Sequence, residues 1–382
     1  MPAAMPPQPH PFPYVVTEGF APLLAGLGCT LAATTYQAGK LALFRADGGR
    51  LSALFRTFSA AMGLAAADDR LAIGTRNTVW LLRNEPDVGR QFEPRGKHDA
   101  CFVPRSAHVT GDVRIHEMAW CDPGGETSAG GGTSAGASPA QSLWFVNTRF
   151  SCLCTLHPDY SFVPRWMPTF VSELAAEDRC HLNGLAVVNG QPRFVSALGA
   201  ANVAEGWRAD KARGGVVIDV ASGERVAGGL AMPHSPRVHA GRLFVLNSGL
   251  GALEVVTIGS GKRDTVARLP GYTRGLAFAG DYAFVGLSKI REKREFGGLP
   301  VESIKELKCG IVAVHLPSGS IEHWLEFQGG CEEIFDVQLL RGVRYPAVVG
   351  LEKDTLNGLF AVAPFLDDRS VLPVKGGQRL EG

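Results

Sequence analysis

The chain has 382 residues, 45% of them hydrophobic, and its 38 lysines and arginines nearly balance its 37 aspartates and glutamates, leaving a formal net charge of +1. This balance argues against a general nucleic-acid or polybasic membrane binder, because both need clustered positive charge, and no run of 18 apolar residues exists that could span a bilayer. Glycine (47) and proline (24) make up about 19% of the chain, against a usual share of roughly 12%, which favours many short strands joined by tight turns.

The first residues, 1–18, lack both the basic and the apolar region of a secretory signal. We therefore expect a disordered lead-in to a cytoplasmic protein. Residues 20–27 (FAPLLAGL) predict one short helix directly after this lead.

A repeat then runs along the chain. An apolar, turn-like lead is followed by a strand, a short break and a second β-rich strand, and the copies begin near residues 62, 116, 183, 235, 274 and 335. Third and fourth strands follow in several copies, for example at 251–256 and 263–269. Four antiparallel strands repeated every 40 to 70 residues or so predict an all-β fold, a β-propeller, as a single domain over residues 19–375.

The number of blades depends on how the ring closes. Residues 30–35, 40–44 and 51–56 look like the second to fourth strands of a blade that lacks its first. A first strand from the C-terminal residues 371–374 would give seven blades, which we take as the expectation. If these strands instead complete the last repeat, the count is six. Two insertions interrupt the pattern: a flexible Gly/Ser segment at 122–141, and a charged segment at 290–308 that reads as a helical lid or a solvated loop.

Eight cysteines show no framework spacing, so we interpret them as small buried side chains in a reducing compartment, with metal binding or redox chemistry as the alternative. Strand alternation predicts that the thiols of Cys152 and Cys154 lie on one face.

Polar residues stand at the start of the first strand in several repeats, and in a propeller these starts meet at one mouth of the central channel. They are His116 and Glu117, His181 and Asn183, His234 and Arg237, Arg274, and Asp336. The three histidines stand at what the pattern indicates are equivalent positions of successive repeats. The plain alternative is that they satisfy buried backbone groups.

Two chemistries fit this set. In the first, His116, His181, His234 and Asp336 hold a divalent metal ion. In the second, His181 and His234 act with Glu117 as acid–base groups. In both, Arg237 and Arg274 bind an anionic group of the substrate and Asn183 contacts the substrate. Arg105 and Arg149, on turn-rich loops, are further candidates for substrate binding. Nucleophile-elbow, P-loop and HExxH motifs are absent from the sequence.

Six strings resemble a bacterial family of conserved hypothetical proteins with a domain of unknown function: TYQAGK (35–40), HDACFVPR (98–105), NTRFSCLC (147–154), CHLNGLA (180–186), MPHSPR (232–237) and GYTRGLAF (271–278). The resemblance covers roughly residues 20–365, implies a β-propeller and names no reaction. Glu117 stands where that family usually has an aspartate. More remotely, the chain is similar to gluconolactonase- and regucalcin-like propellers, a resemblance that implies a metal-binding role for Asn183, and to virginiamycin-lyase-like propellers through a channel histidine.

The sequence thus predicts a propeller enzyme of the hydrolase or lyase type, acting at its channel on a small polar or peptidic substrate, with the need for a metal cofactor left open. The alternative is a non-catalytic propeller that recognises a peptide or a partner protein. Nucleic acid and membranes are not expected partners.

Overall fold

The structure, a computed structural model, describes residues 12–122, 141–290, 297–351 and 354–362. Its helices are α1 (Phe20–Gly26) and α2 (Pro86–Gly89), with 3₁₀ turns at Gly206–Asp210, Ser248–Leu250, Pro300–Ser303 and Asp354–Gly358. No helix among these residues is long and apolar enough to cross a membrane. The strands, in chain order, are β1 Tyr14–Val16, β2 Cys29–Thr35, β3 Lys40–Asp47, β4 Arg50–Thr57, β5 Leu64–Ala67, β6 Arg70–Gly74, β7 Thr78–Asn84, β8 Cys101–Val109, β9 Ile115–Cys121, β10 Ser142–Asn147, β11 Cys152–His157, β12 Tyr160–Trp166, β13 Leu182–Val188, β14 Gln191–Ala197, β15 Gly215–Asp219, β16 Arg225–Leu230, β17 Pro233–His239, β18 Arg242–Asn247, β19 Ala252–Val256, β20 Arg263–Arg268, β21 Tyr272–Ala279, β22 Tyr282–Ser288, β23 Gly310–His315, β24 Ser320–Phe327, β25 Asp336–Arg341 and β26 Ala347–Val348.

Within the described residues these strands form six sheets, which are the blades of a β-propeller and confirm the predicted fold. Blade 1 is β5–β8, blade 2 is β9–β12, blade 3 is β13–β16, blade 4 is β17–β20 and blade 5 is β21–β24. Blade 6 combines β25 with β2, β3 and β4. In each blade the strand named first lies innermost and lines the channel.

The ring closes with six blades, and the expectation of seven is wrong. Strand β25 pairs antiparallel with β2, placing Asp336 opposite Thr34 and Arg341 opposite Cys29. Strands β2, β3 and β4 therefore complete the last repeat and share one sheet with β25. Residues 371–374, which would have supplied a seventh inner strand, lie outside the described residues.

The N-terminal helix is confirmed as α1, but the stretch before it is more than a disordered lead. Tyr14–Val16 pairs with β24 as a fifth strand of blade 5, and Phe12 stacks on Phe55 of blade 6 at 4.9 Å. Blade 1 gains a fifth strand from the other end of the chain, since β26 pairs in parallel with β8.

Both faces of each sheet are covered by the neighbouring blades, so the inner and middle strands are largely buried. Every residue of β2 and of β21 is buried. Phe44 of blade 6 and Phe284 of blade 5 belong to one inter-blade cluster, in which neither side chain is exposed. Each such aromatic or leucine side chain contributes about 1.5–3 kcal/mol by burial.

The described part of the 290–308 insertion is anchored by two buried side chains, while many of its other residues are exposed. Leu299 and Val301 are buried in a cluster with Trp207, Met232 and Tyr272, three residues that line the channel mouth. The Gly/Ser insertion falls almost entirely on residues 123–140, outside the described residues. All eight cysteines are buried thiols, and the sulfurs of Cys152 and Cys154 lie 3.4 Å apart, as expected for one face of a strand.

A candidate site at the mouth of the channel

The inner strands begin at one mouth of the channel, and their first residues enclose a cavity of about 360 Å³. The cavity walls are His116, His181, His234, Tyr272, Arg274, Trp207, Phe335, Glu333, Arg114, Asp112, Tyr36, Arg76, Met62, Met232, Leu198, Ser288, Lys289 and Ile290. The His116 ring lies 4.9 Å from that of His181 and 6.2 Å from that of His234, between ring centroids. The structure therefore brings the three histidines together, although they lie 65 and 53 residues apart in sequence.

The three histidines do not all occupy equivalent positions. His116 and His234 do, but the predicted equivalence is wrong for His181. Ile115, Leu182 and Pro233 are equivalent, because each pairs with the last residue of the second strand of its blade. His116 and His234 directly follow this reference residue in their blades, and the corresponding residue in blade 3 is Asn183. His181 directly precedes the reference residue Leu182, so it corresponds to Arg114 and Met232.

A left-handed residue sets the orientation of the two equivalent histidines. Arg114 and Met232 have φ values of +53° and +48°, which turn their carbonyl groups back toward the side chain two residues later. The Nδ1 atoms of His116 and His234 each lie 3.0 Å from that carbonyl oxygen. A carbonyl can only accept, so Nδ1 carries the proton and Nε2 is unprotonated.

Hydroxyl groups reinforce this arrangement. Thr148 lies 2.7 Å from His116 Nδ1 and donates its own proton to the carbonyl of Leu182, at 2.6 Å. Ser248 is the equivalent residue in blade 4 and lies 3.1 Å from His234 Nδ1. The Nε2 atoms of both histidines have no protein partner among the described residues and remain available to a ligand in the cavity.

His181 is held by a carboxylate. Its Nδ1 lies 2.9 Å from Asp178, whose buried carboxylate also pairs with Arg114 at 3.0 Å. The His181 ring packs against Trp207, with centroids 4.6 Å apart. Asp178 and His181 both have left-handed backbone, with φ near +50°, a conformation that costs on the order of 1 kcal/mol in a non-glycine residue and often marks a functional site. A carboxylate that orients an imidazole is the arrangement used to support a general base.

Burial sets the electrostatics of the mouth. It lowers the pKa of His116 and of His234 well below the usual value of 6.5, and the charge of Arg274 lowers both further. Both imidazoles are therefore neutral at pH 7. Burial also lowers the pKa of Arg274, against the opposing effect of Glu333, and the guanidinium lies 3.5 Å above the Phe335 ring and 3.2 Å from Glu333. Arg274 thus places a buried cation beside neutral bases.

Four of the predicted site residues lie outside the cavity wall and link the inner strands; we call Glu117, Asn183, Arg237 and Asp336 the clamp layer. Glu117 accepts from the backbone N–H of Leu185 at 2.7 Å and pairs with Arg237 at 2.8 Å. Asp336 accepts from the backbone N–H of Leu64 at 2.9 Å. Asn183 donates to the carbonyl of Pro233 at 3.0 Å. Each of these bonds joins two blades.

Charges in the clamp layer compensate one another. Burial raises the pKa of Asp336 to about 7, helped by Glu117 and opposed by Arg237. Burial alone would lower the pKa of Arg237, but Glu117 and Asp336 outweigh it and raise that pKa. The sequence predicts Glu117 as a catalytic group and Arg237 and Asn183 as substrate ligands. In the structure the hydrogen bonds of these three side chains are made to other protein groups.

Neither Arg105 nor Arg149 is brought to the histidines, and Arg105 lies in strand β8 rather than in the expected loop. Arg105 pairs with Glu85 at 3.1 Å in blade 1. Arg149 pairs with Asp112 at 3.1 Å. Asp112 lines the cavity, and Arg149 does not. Arg149 therefore lies one residue behind the wall.

The predicted metal ligands are divided between the two layers. His116, His181 and His234 line the cavity, whereas both carboxylate oxygens of Asp336 accept backbone N–H groups, from Leu64 and Val337. Among the described residues, no group of three or more His, Cys, Asp or Glu side chains is arranged to hold a metal ion.

Sequence reasoning missed several residues of the wall. Asp178 could have been found from its spacing, three residues before His181. Trp207 comes from a 3₁₀ turn in the long β14–β15 connection, and Phe335 and Tyr272 precede or begin inner strands, where apolar residues are expected for packing alone.

The chain is similar to several solved structures at low sequence identity. One similar solved structure is a protein of unknown function from Bacteroides caccae, at 9% identity and a TM-score of 0.50, covering 82% of this chain and 99% of that one. A chain in a nidogen–laminin complex is similar at 10% identity and a TM-score of 0.49, over 82% and 98% of the two chains. Virginiamycin B lyase from Staphylococcus aureus gives 11% identity and a TM-score of 0.38, over 66% and 71%.

At these identities the likeness concerns the fold alone. The comparison with curated proteins finds no match. The family described as "Domain of unknown function (DUF4915)" matches residues 18–349, most of the ring of blades, and confirms the family resemblance seen in the sequence. The chain therefore belongs to the DUF4915 family.

Proposed function

We propose that the channel mouth is the active site of a hydrolase or lyase that uses a histidine base without a metal ion and acts on a small organic anion. The observation that carries the proposal is the pair Asp178–His181 next to the two neutral imidazoles of His116 and His234. A histidine with Nδ1 fixed by a carboxylate presents Nε2 as a proton acceptor.

Arg274 supports the anionic character of the substrate. It is a buried cation whose neighbour Glu333 compensates it within the wall, and Lys289 and Arg76 add positive charge at the rim. A carboxylate or phosphate bound there would bring its neighbouring carbon or ester bond toward the imidazoles. The cavity volume of about 360 Å³ limits the substrate to a small molecule or the end of a peptide.

The wall also favours proton transfer over covalent catalysis. The cavity wall contains one serine, Ser288, whose hydroxyl donates to the carbonyl of Ile334 at 3.1 Å and accepts from its N–H at 3.0 Å. A serine so engaged is a poor nucleophile. His181 would accordingly remove a proton from carbon, giving elimination, or from water, giving hydrolysis.

The test is a ligand screen followed by a conversion assay. A panel of small carboxylates and phosphate esters is screened by ligand-detected NMR against the wild type and Arg274→Gln, and each binder is then incubated in D₂O and followed by ¹H NMR. We expect binders that need Arg274 and whose exchange, elimination or hydrolysis is lost in His181→Asn. His157→Asn, at the end of strand β11 and outside the cavity wall, is the matched control.

Two results would contradict the proposal. Binding that is indifferent to Arg274→Gln would remove the anion site. Conversion that survives His181→Asn, or that stops on treatment with EDTA, would contradict the metal-free histidine base.

The non-catalytic alternative predicts a plugged channel and an exposed apolar patch over the mouth. The large apolar side chains that are exposed in the described residues are Val15, Val109, Tyr160, Leu174, Val203, Ile258, Trp324, Phe360 and Val362. None of them belongs to the wall of the cavity, and no observation favours peptide recognition over the small-anion site.

A further inference from the structure

A second cavity lies on the outside of the ring, where blade 6 meets blade 1. It measures about 510 Å³ and is enclosed by β4, the segment 92–98 and the C-terminal segment 345–350. We call it the rim cavity. It shares no wall residue with the channel mouth, so a ligand could occupy each independently.

The rim cavity is lined by cations. Lys40, Arg45 and Arg56 belong to its wall, whereas the single carboxylate in the wall, Glu93, is exposed and pairs with Arg95. Lys40 donates to Thr57 at 2.5 Å, and Arg45 donates to Pro346 O and Ser52 Oγ, each at 2.9 Å. Within the described residues, neither Lys40 nor Arg45 has a carboxylate within ion-pair distance.

Arg45 differs in this respect from the other buried arginines. It is 6% exposed, like Arg179, but Arg179 pairs with Glu173 and Glu177. Arg274 likewise has Glu333. The Nε of Arg45 is buried and has no hydrogen-bond partner in the described structure. Asp47 interacts electrostatically with Arg45, but its carboxylate is paired with Lys97 and is not within ion-pair distance of Arg45. A buried cation without a directly paired carboxylate is destabilising, and a bound anion would compensate it.

The rest of the wall is apolar. Phe55, Phe92 and Val348 line the cavity, and the Tyr345 ring lies 4.1 Å from the Arg45 guanidinium. Lys40 and His98, both in this wall, belong to the strings at 35–40 and 98–105 that mark the family resemblance, and neither residue lines the channel mouth.

We propose that the rim cavity binds a small organic anion with an apolar body, such as an aromatic carboxylate, through Lys40 and Arg45. The carboxylate lies against the two cations, and the apolar body packs between the phenylalanines. Charge-assisted hydrogen bonds to a buried guanidinium supply the affinity, and the apolar wall discriminates against inorganic anions.

The probe is 4-fluorobenzoate, followed by ¹⁹F NMR titration in the full chain, with neutral 4-fluorobenzamide as its isostere. All titrations use an Arg274→Gln background, which removes the cation of the channel mouth. We expect saturable binding of the benzoate that weakens about tenfold in Lys40→Gln and in Arg45→Gln. Arg50→Gln, an exposed cation on β4, is the control and should leave binding unchanged.

Three results would overturn the proposal: no saturable binding of the benzoate, equal binding of the benzamide, or equal binding in Lys40→Gln. Circular dichroism checks the fold of each variant. If Arg45→Gln does not fold, Lys40→Gln decides the outcome alone, because Lys40 is only half-buried and its bond to Thr57 is local.

Discussion

The two layers of the channel use the same inner strands and the same residue types to different ends. In the clamp layer each charged side chain has protein partners. Glu117 is bonded to Leu185 and Arg237, and Asp336 is bonded to Leu64 and Val337. In the mouth, the Nδ1 atoms of His116 and His234 are satisfied but their Nε2 atoms are not. The two layers therefore differ in how their polar side chains are satisfied, and a polar residue in a channel is informative only once its partners are known.

The largest effect is expected from breaking the clamp layer. Glu117→Ala removes the main partner of Arg237 and leaves a buried guanidinium near Asp336 alone, so the free energy of unfolding should fall by about 3–5 kcal/mol. Urea denaturation measures it, and Glu18→Ala, at an exposed position, is the control. A loss below about 1 kcal/mol would show that the clamp layer does not hold the blades together.

The two layers should also respond to pH in opposite directions. The pKa of Asp336 is raised by burial to about 7 in the folded protein, above its unfolded value of about 3.9. Its contribution to stability is complete below the unfolded pKa and is lost as the pH rises to about 7. The wild type should therefore lose on the order of 2 kcal/mol relative to Asp336→Asn between pH 5 and pH 7.

In the mouth, burial lowers the folded pKa of His234, so its contribution is present above the unfolded value and is lost as the pH falls below about 6.5. The wild type should then gain stability relative to His234→Gln between pH 5 and pH 6.5. Denaturation curves of the three proteins at several pH values measure both slopes. If the stability difference between wild type and Asp336→Asn and that between wild type and His234→Gln changed with pH in the same direction, the distinction between the layers would be contradicted.

A smaller effect is expected for the mouth carboxylate. Asp178→Ala removes a bond to His181 and one to Arg114, but the Arg114 side chain is 39% exposed and water can replace its partner. We expect a loss of about 1–2 kcal/mol in denaturation, clearly less than for Glu117→Ala, with Asp159→Ala as the exposed control. A loss of unfolding free energy as large as that of Glu117→Ala would indicate that Asp178 has the same structural role as the clamp layer.

The smallest effect is expected for Arg105→Gln. Its pair with Glu85 is partly exposed, so stability should change by less than about 1 kcal/mol, and anion binding at the mouth should not change. Thermal denaturation and the ligand screen check both. Altered anion binding in Arg105→Gln would indicate that Arg105 contributes to the site at the mouth.

Period and patterning were enough to predict the propeller, because a four-stranded unit recurs from residue 62 onward. The blade count was not predictable, since pairing of β25 with β2 depends on contacts more than 300 residues apart. The convergence of His116, His181 and His234 was predictable from the repeat. The two-residue offset of His181 was not, because it depends on left-handed residues and strand irregularities that the sequence does not reveal.

The separation of Glu117 and Asp336 from the histidines has a similar cause. Successive residues of a strand face opposite directions, so His116 and Glu117 cannot both point into one cavity. Which of the two reaches the cavity follows from the register of β9 against β10, a tertiary property.

The central claim is that the mouth presents the unprotonated Nε2 atoms of His116 and His234 to a ligand. A long-range ¹H–¹⁵N correlation spectrum of the histidine side chains at pH 7, assigned with single His→Gln variants, tests it directly. We predict that His116 and His234 both give the pattern of a neutral ring protonated at Nδ1. Protonation at Nε2, or an imidazolium pattern at His116 or His234, would contradict the account.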